Sequence, residues 1–504
     1  MSESPPYIVW YRDDAACSEA LRSGAPVEVE LSSFGDNDVV LDFLVTSGLW
    51  SVLTSMEPDG LRKENGKPWR ALNGVEVLRE LARVDRIAHC GKILRDVRLM
   101  LIAGFNAEEV SRARARDRPV LDPETLANHL ARISPRSAAR TFAEHVGLLR
   151  RKRWIRGRTY VADAHELILP YGRHSERMGR IGEKYGYKLV ILLNATPERE
   201  RVVGFALGPL QHSERGLLRI ILRDLARRFG PVGDWMNTLL LDRGYWGAEF
   251  LLGLHRRYGI DLVTRARDED LEFVRELDRL AATPEAVWNW THETHSHFGE
   301  IQVHLTGFDG IELYDKNGKA VGQLNAAVAD EYDAAGARLR DEKGDERPRF
   351  HYATTLPSAA QPHRIRRYYG QRWVIENQGF RELTQDWALD TLAGRRFNAF
   401  NARIAFVLML YNADRLLHMK CPDLWEEAHR RRLALGQRDR LAGPSVAAYT
   451  PQGQLGVFTP AQYGQLVADR ERNRIVHALR EGLARGETLE RVLGRLEGEP
   501  PRDA

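Results

Sequence analysis

The segment "YKLVILLNAT", Tyr187 to Thr196, is apolar almost throughout instead of alternating, as a strand covered on both faces must be. A second such run, "NTLLLDRGYWG", has three leucines before Asp242. Between them, "SERGLLRIILRDLARRFG" has helical spacing, with Ser213 placed to cap its start and Gly230 to stop it. A helix over Ala248–Arg257 and a strand "IDLVTRA" follow. Upstream, "RTYVADAHELIL" is a β-rich run with Asp163 expected at the strand's end, and "RVVGFALGPL" a further strand closed by turn residues. Strands and helices in this order predict an α/β fold, a mixed sheet flanked by helices.

At 504 residues the chain exceeds one ordinary core, and it divides by character into five stretches. Residues 1–150 read as helices. Within them, "DPETLANHLARISPRSAARTFAEHVGLLRRKR" splits at "SPRS", where Ser134 can cap and Pro135 can open a second helix. Residues 151–266 hold the strands described above. Residues 267–350 alternate like exposed strands, with an Asn-Gly hairpin signal in "YDKNGKAVG", and read as a β-rich insertion. Residues 351–420 return to the core with a strand, "FHYATTL", and one long helix, "QPHRIRRYYGQRWVIENQGFREL". Residues 421–504 read as a helical, charge-rich tail.

Basic residues cluster although the net charge is only +4. Arg150, Arg151, Lys152, Arg153, Arg156 and Arg158 form one group and Arg364, Arg366, Arg367 and Arg372 another; such patches suit polyanions, though solvated helix faces look the same. Cys17, Cys90 and Cys421 lie far apart without a CxxC pair, which argues against a disulfide framework or zinc ribbon and fits a reducing cytoplasm. The first residues lack the pattern of a secretory signal. The greasiest run, Ile404–Tyr411, is bracketed by Asn401, Arg403, Asp414 and Arg415, and is too short to span a membrane.

Asp163, Asp242 and Glu376 lie on separate elements that can meet at one end of a sheet. Three carboxylates there would suit two hard divalent cations, and an ion pair of that kind suits phosphodiester chemistry. Taken singly, each acid has a plain alternative: Asp163 capping a turn, or Asp242 paired with Arg243. On a regular helix, Arg372 and Tyr369, four and seven residues before Glu376, share its face. The motif Tyr-x2-Arg-x3-Glu, with "DRGY" closing an upstream apolar strand, resembles the DDE transposases of cut-and-paste bacterial insertion sequences, in the branch with a Tyr-Arg-Glu-Lys signature. The resemblance covers roughly Thr159 to Leu417.

The resemblance implies a ribonuclease-H-like catalytic domain interrupted by the β-rich insertion. It implies Asp163, Asp242 and Glu376 as catalytic metal ligands for Mg2+ or Mn2+, two ions in all. It further implies Tyr369 and Arg372 at DNA near the cleaved strand, DNA ends bound by residues 1–150, and a homodimer pairing two ends. The expected partners are double-stranded DNA, as terminal inverted repeats and as target, and no membrane. The expected location is the bacterial cytoplasm, at the nucleoid when bound to DNA. The basic exit Arg151, Lys152 and Arg153 adds DNA-contact candidates, and Arg243, beside Asp242, can orient a carboxylate or touch a phosphate. One departure stands out: the family lysine, seven residues after the glutamate, is Leu383 here, with Arg381 turned about 140° away on a regular helix. Two other readings stay open, an inactive DNA-binding descendant and a stand-alone metal nuclease.

His292, His295 and His297 in "HETHSH" could suggest zinc, but polar alternation on an exposed strand explains them equally well. Trp288 and Trp290 are expected to pack a small-sheet core, with stacking on an extruded base as the alternative. Trp373 is expected to anchor the acid-bearing helix from behind.

Overall fold

A computed structural model describes residues 11–32, 38–60, 66–84, 86–169, 173–196, 200–266, 271–295, 298–314, 318–341, 343–391, 394–423, 425–426, 445–452, 454–485 and 487–496. Two units emerge, residues 130–419 and residues 1–129 with 420–504.

In the larger unit, Leu189 to Leu193 are all fully buried, as their unbroken apolar run demands. They lie in β3, Lys184–Asn194, which follows β1, Thr159–Ile168, and the short β2, Gly179–Ile181. Next come β4, Arg201–Pro209, β5, Thr238–Leu241, and β6, Asp261–Arg265. The insertion supplies β7, Asn289–His295, β8, Gly299–Tyr314, and β9, Ala320–Tyr332; β10, Phe350–Thr354, follows. All ten join one sheet in the order β2-β3-β1-β5-β6-β10-β9-β8-β7, with β4 also paired to β3. β1, β5 and β6 run parallel, and the remaining pairings are antiparallel. The expected mixed α/β sheet is present, and the insertion continues it.

Its helices are α1, Pro135–Arg151, α2, Glu214–Phe229, α3, Ala248–Tyr258, and α4, Leu271–Ala281. They continue with α5, Pro362–Gly370, α6, Arg381–Gln385, and α7, Phe397–Lys420. Ser134 caps α1 as expected, accepting the Ser137 N–H at 3.2 Å, with Pro135 in the first turn. α4 puts a helix into an insertion expected to be mostly strand. The Asn-Gly hairpin signal falls partly outside the described residues, while Gly318 takes the left-handed φ of +74° that such turns favour.

α7 is buried along nearly its whole length, including Ile404–Tyr411. Arg403, expected to flank this run, is itself interior and donates to the carbonyls of Trp387, Ala388, Leu389 and Thr391. Among the described residues no helix is long and apolar enough to cross a membrane.

The smaller unit departs from an all-helical reading of both chain ends. A four-stranded sheet joins Tyr11–Arg12, Gln454–Phe458, Ser445–Tyr449 and Glu28–Ser32 in that order. The 421–504 stretch therefore contributes two strands between strands of the N-terminal stretch, over a core of Cys17, Leu21, Val446, Ala448, Phe458 and Leu466. Such pairing joins segments more than 400 residues apart, which local periodicity does not register.

Candidate functional site

The parallel register of β1 and β5 ends with Ala162 opposite Leu241. The next residue on each chain is Asp163 and Asp242, so strand pairing alone sets the two acids side by side. Asp163 lies mid-strand, not at a strand end as its sequence context suggested; β1 runs five residues further along β3. Asp242 opens a turn of 3-10 helix over Arg243–Tyr245, and its carbonyl accepts from the fully buried Thr264 hydroxyl at 3.2 Å. Gly244 is tightly enclosed there: a Cβ would lie 2.9 Å from Glu214 Oε2.

The third acid arrives on a helix that is not regular. After α5 the backbone tightens, with Arg372 N–H donating to Tyr369 and Ile375 N–H to Arg372. It then loosens into a π-helical segment, Ile375–Phe380, before α6. Gly379 of this segment sits over Ile191 of β3, and Phe380 stacks on His165 of β1, ring centroids 5.0 Å apart. The segment thus spans the strand that carries Asp163 and brings Glu376 to it. Each i→i+5 bond adds a residue to the turn, and Arg381 N–H bonds the carbonyl of Glu376. Position 381 is thereby rotated toward the Glu376 face relative to a regular helix, and Arg381 is exposed, without an ion pair among the described residues. Leu383, seven residues after Glu376, is fully buried and belongs to the core.

All three acids meet one guanidinium. Arg372 Nη1 lies 2.5 Å from Glu376 Oε1 and 3.3 Å from Asp163 Oδ2, and its Nε 3.7 Å from Asp242 Oδ1. Arg372 is only 5% exposed, between the rings of Tyr369 and Trp373 at 5.5 and 5.2 Å. It is an interior cation, where the sequence suggested a surface one. Tyr369 packs in turn against Tyr352, ring centroids 5.4 Å apart. Burial, Asp242 and Glu376 push the Asp163 carboxyl up to about 7, against the opposing pull of the Ala164 N–H and Arg372.

Three carboxylates against one guanidinium leave an excess of negative charge, and an all-oxygen donor set suits a hard cation. With Arg372 interposed, the described residues form no ready-made group of three ligands around an ion. The donor chemistry fits divalent cations, and Arg372 occupies one oxygen each of Asp163 and Glu376.

Three neighbours were not singled out by sequence reasoning, although Tyr245 lies within "DRGY". Glu214 opens α2 and pairs with Lys188 at 3.3 Å. The Tyr245 hydroxyl is buried without a hydrogen-bond partner among the described residues, and burial together with Glu214, Asp163 and Asp242 raises its pKa well above the ordinary value. Thr264 anchors the Asp242 turn from the next strand. Only alternation across the sheet could have marked it.

Of the other candidates, Arg151, Lys152 and Arg153 are exposed at the end of α1, and Arg243 is exposed beside Asp242. Arg150 instead stacks on Phe229 and Trp235, and Arg158 donates to the Gly233 carbonyl. In the second basic group Arg366 is consumed by Glu293 and Glu331, at 2.8 and 2.7 Å, which ties α5 to the insertion. Trp290 is 65% exposed and Trp373 55% exposed, so neither is the core anchor expected. Trp288 is half-buried, its indole N–H donating to the Ala281 carbonyl. His292 faces Trp290; the His295 side chain and His297 lie outside the described residues.

A family model described as "Transposase DDE domain" matches residues 157–413, more than half of the chain. No curated protein matches it.

Proposed function

The chain belongs to the transposase DDE domain family, and from that premise we propose that it cuts DNA at the ends of its own element and joins those ends to target DNA. The observation that carries this reading is the meeting of Asp163, Asp242 and Glu376, from three separate elements, at one buried guanidinium.

In this reading the three carboxylates are the catalytic ligands of Mg2+ or Mn2+, two ions in all. Such ions supply activation of the attacking oxygen and neutralisation of the leaving one. The chain's own groups do the rest. Buried strands fix Asp163 and Asp242 side by side, and the π segment delivers Glu376. In cleavage, a water oxygen bonds to phosphorus, the P–O3′ bond breaks, and a 3′-hydroxyl is left. In joining, that hydroxyl attacks a target phosphate and displaces a second 3′-oxygen. Tyr369 and Arg372 would hold the phosphate beside the reacting one, where a guanidinium can fork two hydrogen bonds. Exposed Arg151, Lys152, Arg153 and Arg243 would contact flanking backbone. Pairing two ends calls for a homodimer, with residues 1–150 gripping the terminal repeats.

The finer assignment is to the branch with a Tyr-Arg-Glu-Lys signature. Leu383 argues less against it than on a regular helix, because the π segment shifts the register and turns exposed Arg381 toward the acid face. Arg381 is the base we propose in place of the lysine. This also weakens the inactive-descendant reading, whose support was Leu383.

A supercoiled plasmid carrying the DNA that borders the gene, incubated with Mg2+ or Mn2+, tests the proposal. Joined products support it. Nicks without joining would leave a metal nuclease, and retardation without cutting an inactive binder.

A further inference from the structure

We propose that Arg372 is a built-in competitor for the metal: its guanidinium holds the three acids together until DNA draws it away, so DNA and divalent ions bind cooperatively. The inference rests on the metal-site reading above.

The argument begins with shared oxygens. Hard divalent ions take carboxylate oxygens at about 2.0–2.6 Å, and need their lone pairs. Arg372 already lies on Glu376 Oε1 at 2.5 Å and Asp163 Oδ2 at 3.3 Å, with Asp242 Oδ1 3.7 Å from its Nε. A guanidinium and an ion therefore compete for Glu376 Oε1 and Asp163 Oδ2. The side chain is also not locked on every side. Its Nε makes no hydrogen bond among the described residues, and one of the two rings near its guanidinium, Trp373, is largely exposed.

Something must compensate the guanidinium when it leaves, since an unpaired buried charge is costly. A DNA phosphate can do so, since Arg forks two hydrogen bonds onto phosphate as it does onto carboxylate. DNA therefore takes the cation off the acids, and the acids then accept the ions. By linkage the coupling is reciprocal: metal tightens DNA binding by the same factor by which DNA tightens metal binding, roughly 5- to 150-fold for couplings of ordinary size. The free protein is thereby kept from loading metal tightly before it holds DNA.

Mn2+ binding to the full chain, followed by calorimetry with and without a duplex taken from the DNA bordering the gene, tests this. Wild type should bind Mn2+ weakly alone and more tightly with the duplex. Arg372→Gln should bind Mn2+ about tenfold or more tighter without DNA and gain little on adding it, a coupling within the ordinary range. Arg372→Gln that melts like wild type yet binds Mn2+ no better would overturn the inference. Should Arg372→Gln fail to fold, Arg372→Lys, which keeps one charge but not the fork, should still bind Mn2+ more tightly than wild type; equal affinity overturns it. Glu376→Gln separates the two ideas. If Glu376→Gln loses Mn2+ while Arg372→Gln is unchanged, the metal site stands and the competitor falls. If neither wild type nor Arg372→Gln binds Mn2+ in any condition, the metal reading fails and takes the inference with it.

Discussion

Asp163 and Asp242 are neighbours because the β1–β5 ladder ends at Ala162 and Leu241, one residue before each acid. Their proximity is a property of backbone register, so conservative replacements should leave the fold intact. Asp163→Asn and Asp242→Asn are expected to lower cleavage by well over 100-fold, since even partners one step removed from a metal cost about 10- to 100-fold. Both should keep DNA binding by retardation assay, and wild-type cleavage by either would remove that residue from the site.

Acid should weaken the larger unit through His145. Its ring is fully buried on α1, and burial with nearby Arg201 lowers its pKa to about 3. The folded state thus binds the proton less readily than the unfolded chain. The stability from the neutral ring is complete above about pH 6.5 and drains away as pH falls toward 3, by several kcal/mol at most at ~1.4 kcal/mol per pH unit. His145→Leu should flatten the melting temperature against pH across this window. An unchanged slope would show that His145 is not the titrating group.

Arg403 satisfies four backbone carbonyls from the interior of α7, including that of Ala388, which has a φ of +45°. Arg403→Leu removes these hydrogen bonds, leaving the Ala388 carbonyl with the Thr391 N–H, and should cost about 3 kcal/mol or more in urea unfolding. A loss under 1 kcal/mol would mean that water reaches the carbonyls instead.

Trp290 offers the opposite test. At 65% exposure its replacement by Ala should shift stability by no more than about 0.5 kcal/mol. If the insertion meets bases, as the stacking alternative holds, Trp290→Ala should weaken DNA binding by about 1–3 kcal/mol. A large drop in melting temperature would return Trp290 to a packing role, and unchanged DNA affinity would remove the stacking alternative.

Much of the larger unit was legible because burial on both faces leaves an unmistakable mark in Leu189–Leu193 and Leu239–Leu241, and Asp163 and Asp242 each followed an apolar run. What sequence concealed was nonlocal. Arg366 and Arg372 looked like members of a surface basic patch, but their partners lie 73 and 209 residues away, at Glu293 and Asp163. The π segment escaped because helical periodicity presumes 3.6 residues per turn. Trp290 and Trp373 were misjudged because large aromatics are usually buried on average, and nothing local reveals which face of an element meets solvent. The sheet built from both chain ends had no local signal at all.

The unbroken sheet has a mechanical consequence. β10 is hydrogen-bonded to β6 on one side and to β9 on the other, through Tyr352, Ala353 and Thr354 on both. Cutting out residues 267–349 would leave β10 with a bare row of amides and carbonyls, a seam primed for clumping with other chains. The insertion works less like a bead on a string than like the far end of a plank, continuous through β10 and β6 with the strands that lead to Asp163 and Asp242.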